Sequence, residues 1–241
     1  MAIKIFPTPY DLAENFAGEI AKMITESAKM KSYLTIALSG GSTPELLFSL
    51  LGDNFSKSTP WEYVHFFWVD ERCVPPDNDN SNYGMTQRTL FKKILIPAKN
   101  IHRIMGEADP EQEALRYSGE ISEFTEKRGG LPLFDFVILG LGEDGHTASI
   151  FSGHEELFHS DKICEVTVHP VTKQKRITLT GRVINNADSV IFMVTGKKKA
   201  RIVEKIIYKN KSSVNFPASQ IQPPYGVLRW LLDEDSASLL K

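Results

Sequence analysis

The sequence predicts an α/β domain, a mostly parallel sheet with helices on both faces. Three observations carry that expectation. Short apolar strands alternate with amphipathic helical segments along the chain. The run FVIL within FDFVILGLG (134–142) is apolar at every position, as a strand covered on both faces should be. No Pro-, Gly- or Ser-rich linker divides the 241 residues, so one domain spanning 1–241 is expected.

The elements follow in order. DLAENFAGEIAKMITESAKM places Leu12, Phe16, Ile20, Met23 and Ile24 on one helical face. YLTIAL (33–38) reads as a strand, and ELLFSLLG as a short helix ending at Gly52. WEYVHFFWVDER is a strand, apolar from Val64 to Val69, and VPPDNDNSNYG (74–84) is a loop by composition. YGMTQRTLFKKIL reads as a helix, and PEQEALRYSGEISEFTEKRGG as a longer one closed by glycines. After FDFVILGLG come KICEVTV and RITLTG as strands and SVIFMVTG as a buried strand. KKKARIVEKIIY is a helix, and the tail YGVLRWLLDEDSASLL reads as an amphipathic helix.

Composition narrows the function classes. With 41% hydrophobic and 24% charged residues the chain is ordinary globular protein, long enough to bury a sizeable core. A formal net charge of -2 offers no overall field for nucleic acid, but leaves room for a locally basic site that holds a small anion. The two cysteines, Cys73 and Cys164, form neither a disulfide framework nor a zinc spacing and read as reduced thiols. No apolar run approaches the ~20 residues that span a bilayer. The first residues, MAIKIFPTPYDLAENF, are charged and proline-containing, unlike a signal peptide. A cytoplasmic protein without membrane or nucleic-acid partners is expected; nothing in the chain sets an oligomeric state.

Ligands of open α/β sheets bind at the carboxyl ends of the strands. Four strand-end loops here have unusual chemistry: SGGS, DER, GLGEDGH and TGKKK. In a parallel sheet they gather along one edge. SGGSTPE (39–45) combines two glycines, hydroxyl donors and a Ser42–Glu45 capping box at a helix start. It is either an anion loop or a well-capped tight turn. Asp70, Glu71 and Arg72 form either a surface turn or part of a site, and the long proline-stiffened loop behind them favours the site. Arg72 presents a planar fork of donors for a phosphate, carboxylate or oxyanion. The lysines of TGKKKA oppose the helix dipole unless an anion offsets them, or else form a solvated basic face. Arg176, at a strand start, is a second cationic candidate.

Gly140, Gly142 and Gly145 spell G-x-G-x-x-G after a strand, the spacing of a dinucleotide loop. Glu143 and Asp144 inside the loop would repel a pyrophosphate. Asp161 has about the right spacing for the ribose carboxylate but precedes a strand instead of ending one. Read as D-G-H, the loop makes better sense. Gly145 permits a turn that exposes both neighbours, Asp144 orients an imidazole, and His146 serves as a general base near neutrality. The other histidines lack such a setting. No metal cluster and no G-x-S-x-G nucleophile elbow is present, so neither a metal nor a serine nucleophile is expected.

SGGSTPELLF, FFWVDERCVPPDNDNSNYG, GLGEDGHTASIF, RITLTGRVINNADSVIFMVTGKKKA and FPASQIQP resemble, in order and spacing, the 6-phosphogluconolactonase family, which shares a superfamily with glucosamine-6-phosphate deaminase. The resemblance covers nearly the whole chain. It implies a Rossmann-like fold, hydrolysis of 6-phosphoglucono-1,5-lactone to 6-phosphogluconate in the oxidative pentose phosphate pathway, and no cofactor. By motif position it implies His146 as the base that activates water, Asp144 beside it, and Arg72 as a substrate and phosphate ligand. Ser39, Gly40, Gly41 and Ser42 match the phosphate loop, Asp70 joins them as a substrate-binding residue, and Arg176 and Lys199 complete the anion site. The alternative within the superfamily is a sugar-phosphate isomerase or deaminase. That branch carries a proton-transferring glutamate where Phe151 stands here, which favours the lactonase. The lactonase pattern continues with a proline; here Ser152 follows.

Overall fold

The computed structural model describes residues 1–208 and 216–240. Its chain order is β1 Ala2–Phe6, α1 Pro9–Lys29, β2 Leu34–Leu38, α2 Ser42–Phe55, β3 Val64–Trp68 and β4 Asp70–Arg72. Then come α3 Asn82–Thr86, α4 Pro110–Phe124, β5 Glu126–Arg128, β6 Leu131–Leu133, β7 Phe136–Leu139, β8 Cys164–Val168 and β9 Lys175–Leu179. The chain closes with α5 Gly181–Asn185, β10 Ser189–Val194, α6 Ala200–Ile207 and β11 Val227–Asp233.

Six strands form one parallel sheet in the order β1-β11-β10-β7-β2-β3. Every residue of β2, β3 and β10 is buried, so both faces are covered there. This is the α/β architecture the alternation of elements predicts. α1 starts where Thr8 accepts the Asp11 amide and Pro9 occupies the first turn. It buries Leu12, Phe16, Ile20 and Ile24 in a cluster of apolar residues that runs from Phe6 to Ala237. Tyr117 of α4 sends its hydroxyl to the main chain of Trp68, tying that helix to the end of β3. No helix among the described residues is long and apolar enough to cross a membrane.

Several expectations need correction. The tail is no helix at its start: Val227–Asp233 is a strand between β1 and β10. Its apolar periodicity fits a helix, but two parallel neighbours, one of them the unforeseen β1, complete its backbone hydrogen bonding and override local preference. KICEVTV and RITLTG do not join the parallel sheet. With β4 they build a separate antiparallel sheet, β4-β9-β8. DER is thus a short strand of its own, and Arg72 pairs across it with Arg176. α4 stops at Phe124, and Gly129 and Gly130 turn a β5–β6 hairpin with φ of +61° and +81°. α2 continues past Gly52 to Phe55. Its N-cap is Gly41, with no side-chain capping bond, so the Ser42–Glu45 box does not form.

Candidate active site

The four loops do meet at the carboxyl edge of the parallel sheet. They enclose a cavity of about 220 Å³ lined by Ser39, Gly40, Asp70, Arg72, His146, Arg176 and Lys199, together with Asn82, Gly140 and Thr147. A second hollow of about 180 Å³ shares Gly40, Gly140 and Lys199 with it and is lined by Gly41, Ser42, Thr43 and Thr195. Gly41 and Ser42 therefore stand at this neighbouring hollow, with Lys199 between the two.

The β7 loop contains the acid–imidazole pair. Asp144 Oδ1 lies 2.6 Å from His146 Nδ1 and also accepts the His146 amide. The hydrogen bond from His146 holds the Asp144 carboxyl down at about 2, so it is an anion at any physiological pH. An ionised carboxylate only accepts, so His146 Nδ1 carries a proton and Nε2 is the nitrogen left to act. Two glycines allow this. Gly145 takes φ +84°, and a Cβ there would also strike Phe216 at 2.6 Å. A Cβ on Gly142 would lie 2.2 Å from His146 Nδ1. Ala218 donates its amide to the Gly145 carbonyl at 3.0 Å, so the FPASQ segment props the turn from behind. No helix follows β7; residues 140–149 form turns, which removes the helix N-terminus a dinucleotide loop needs.

The cations come from three elements. Arg72 donates through Nη1 to the Asn80 carbonyl at 2.6 Å. Arg176 reaches Ser149 Oγ at 3.4 Å and Asp70 Oδ2 at 3.9 Å. Among the described residues, each guanidinium keeps a buried Nε–H with no hydrogen-bond partner. Two guanidinium side chains lining one cavity suit an anionic ligand. Burial lowers Lys199, an effect opposed by Glu143 and Asp144 nearby. Its loop is set by Gly196, with φ +91°, whose amide goes to the Asp233 carboxylate at 3.0 Å. The lysines do not start α6 directly: Lys197–Lys199 is a 3-10 turn leading into it.

Sequence reasoning missed the supports. Glu71, 1% exposed, accepts from the amides of Arg72, Asn82 and Tyr83 and from Ser81 Oγ, and so ties the 74–84 loop to β4. Burial raises its carboxyl pKa against the pull of those four donors. Asn82 caps the main chain of Asp70 at 2.8 Å, and its side chain fills the space where a Cβ on Gly40 would stand, 1.8 Å from Oδ1. Ser149 donates to Asp70 at 2.5 Å. Phe151 is buried, with the His146 and His169 rings at 5.0 Å and Arg176 at 5.6 Å. The motif NSN was a usable signal, since Ser81 is the N-cap of α3. Nothing local marks Ser149 or Asp233. Both cysteines are free, and burial pushes Cys73 up to about 11 and Cys164 up to about 12, so neither is a thiolate near neutrality. No group of three or more metal-ligating side chains is gathered among the described residues.

A parallel α/β sheet whose strand ends present an Asp–His pair beside arginines and a lysine defines a class of small-molecule site for anionic substrates. Residues 7–230 match the family described as glucosamine-6-phosphate isomerases/6-phosphogluconolactonase, and the chain belongs to it. It is 38% identical over 236 residues to the 6-phosphogluconolactonases of Haemophilus influenzae and of Aggregatibacter actinomycetemcomitans, with 98% of each chain covered. The crystal structure called devB protein superposes with a TM-score of 0.94 at 38% identity, covering 100% of this chain and 99% of that one. The 6-phosphogluconolactonase of Trypanosoma brucei superposes with a TM-score of 0.89 at 30% identity, covering 100% and 98%. A monomeric glucosamine-6-phosphate deaminase shares the fold at 22% identity.

Proposed function

We propose that this chain, acting as one domain, hydrolyses 6-phosphoglucono-1,5-lactone to 6-phosphogluconate, with His146 as general base. The observation that carries the reading is the Asp144–His146 pair set in a cavity with Arg72, Arg176 and Lys199. Family membership and the relatives, named as 6-phosphogluconolactonases, support it.

In this mechanism His146 Nε2 takes a proton from water as it attacks the lactone carbonyl, and the ionised Asp144 stabilises the imidazolium that forms. The negative charge on the tetrahedral oxygen is met by the guanidinium of Arg72, which lines the same cavity as His146. The proton then returns from His146 to the ring oxygen as that bond breaks. Lys199, Arg176 and the Ser39–Ser42 loop hold the phosphate, and binding so far from the reacting carbon supplies orientation. No covalent intermediate is needed. By the resemblance, Phe151 occupies the position of the proton-transferring glutamate of the deaminase branch, and its buried apolar ring cannot do that work.

The test is lactone hydrolysis, coupled rapidly to 6-phosphogluconate dehydrogenase because the lactone also opens spontaneously. His146→Ala should lose about 10²–10⁴-fold in kcat with KM largely kept. A wild-type kcat in that variant removes His146 from the mechanism, and ammonia release from glucosamine 6-phosphate would overturn the lactonase assignment.

A further inference from the structure

At the opposite, amino-terminal end of the strands lies a larger hollow of about 910 Å³, with Thr35, His65, Asp135 and Asp188 around its floor. The lactonase reading makes no use of it. His65 is only 8% exposed, and among the described residues its ring makes one hydrogen bond, from Nδ1 to His102 Nε2 at 2.8 Å. His102 Nδ1 in turn lies 2.8 Å from Glu120 Oε1.

The chain of bonds has a direction. Burial pushes the Glu120 carboxyl up, but hydrogen bonds from His102 and Arg116 outweigh it and hold the group below its ordinary value. Glu120 is therefore an anion and only accepts, so His102 donates to it from Nδ1. With its Nδ1 proton given to Glu120, His102 presents Nε2 as the acceptor, and His65 donates from Nδ1. What remains on His65 is the Nε2 lone pair, on a ring that lines the hollow. Among the described residues nothing donates to it. Burial, His102 and Lys99 lower the His65 pKa to about 4, so this acceptor persists at neutral pH.

The walls add two further preferences. Tyr33 stands edge-on to His65 at 5.0 Å and Phe124 lies 5.6 Å from it, both with exposed ring surface. Glu123, Glu126 and Asp135 line the hollow against Lys99 alone, since Arg128 pairs with the fourth carboxylate, Asp188. Aromatic faces beside excess carboxylate favour a cation with a flat apolar body.

We propose that this hollow is a second ligand site, selective for a small planar organic cation with N–H donors, one N–H bonding to His65 Nε2 and the ring lying against Tyr33 and Phe124. An aryl amidine has that chemistry, and the site is independent of lactone hydrolysis.

Benzamidine is the probe, titrated into the full chain by calorimetry and by ¹⁵N NMR of the histidine rings, with benzoate as the anion of matching shape. Saturable benzamidine binding that shifts the His65 Nε2 resonance is expected, with no benzoate binding. His65→Phe, which keeps a ring and removes the acceptor, should weaken binding about tenfold. The surface double variant Glu123→Gln/Glu126→Gln should weaken it several-fold and flatten its salt dependence. Lactone turnover should be unchanged in both variants. No saturation by about 10 mM, equal binding of benzoate, or competition between benzamidine and the lactone would each overturn the proposal. Should His65→Phe fail to fold, the double variant and the benzoate comparison decide the matter alone.

Discussion

Gly140 and Gly142 flank Leu141 in one motif, yet they differ sharply in what a methyl group would meet. A Cβ on Gly142 would lie 2.2 Å from His146 Nδ1, 2.4 Å from its Cε1 and 2.5 Å from Asp144 Oδ1. A Cβ on Gly140 would meet nothing within 4 Å. Neither glycine has positive φ, so neither Gly→Ala change strains the backbone. Ordinary contact needs about 3.5 Å, so Gly142→Ala must displace the Asp–His pair by about 1 Å. The side chains that have to move are 28% and 56% exposed, and they swing aside at little cost in stability. The cost falls on the chemistry, where a misplacement of ~1 Å is worth about 10²-fold. Gly142→Ala should therefore lose about 100-fold in kcat in the coupled lactone assay, with its melting temperature within a few degrees of the parent. Gly140→Ala should keep kcat within about twofold, any effect falling on KM because Gly140 lines the cavity. A full kcat in Gly142→Ala, or equal damage in both variants, refutes the assigned role of the pair.

Three further outcomes follow from named contacts. Glu71→Gln turns an amide NH₂ toward backbone donors that now bond a carboxylate, and should cost about 2–4 kcal/mol in a urea unfolding titration; an unchanged midpoint would show that the 74–84 loop is not held through Glu71. Lys199→Met and Arg176→Lys should chiefly raise KM, and a normal KM in either would remove that residue from phosphate binding. His65 links folding to pH. Its folded pKa of about 4 lies below the ordinary 6.5, so the unfolded chain takes the proton first. Its stabilising contribution is whole above pH 6.5 and declines as pH falls from 6.5 to about 4, by at most about 3 kcal/mol. His65→Asn should flatten that limb of a stability–pH curve, and an unaltered slope would show that His65 is not its source.

The legible parts of the molecule were those where local chemistry and tertiary demand agree. β2, β3, β7 and β10 are short apolar runs, and a run buried on both faces has to be apolar throughout. The D-G-H turn was readable because a left-handed glycine between two functional side chains leaves a mark in the sequence itself. The tail was misread because VLRWLL satisfies either period, and the neighbours that decide between them are β10 and the amino-terminal β1, more than two hundred residues away in sequence. The same reasoning explains why nothing local to Arg176 marks how it meets Arg72. Its relation to the site depends on β9 pairing with β4, a contact between residues about a hundred positions apart.

By itself the sequence determined the alternation that makes an α/β sheet, the chemistry at four strand ends, and the Asp144–Gly145–His146 turn, because each depends on neighbours within a few residues. Only the tertiary structure decided how that chemistry is held. Asp233, on a strand expected to be a helix, fixes the Gly196 amide and with it the Lys199 loop. Glu71 fixes the loop of Asn82, and Phe216 and Ala218 prop the turn of His146. Those supports act through hydrogen bonds and contacts between distant segments, and such partners exist only once the chain has closed on itself.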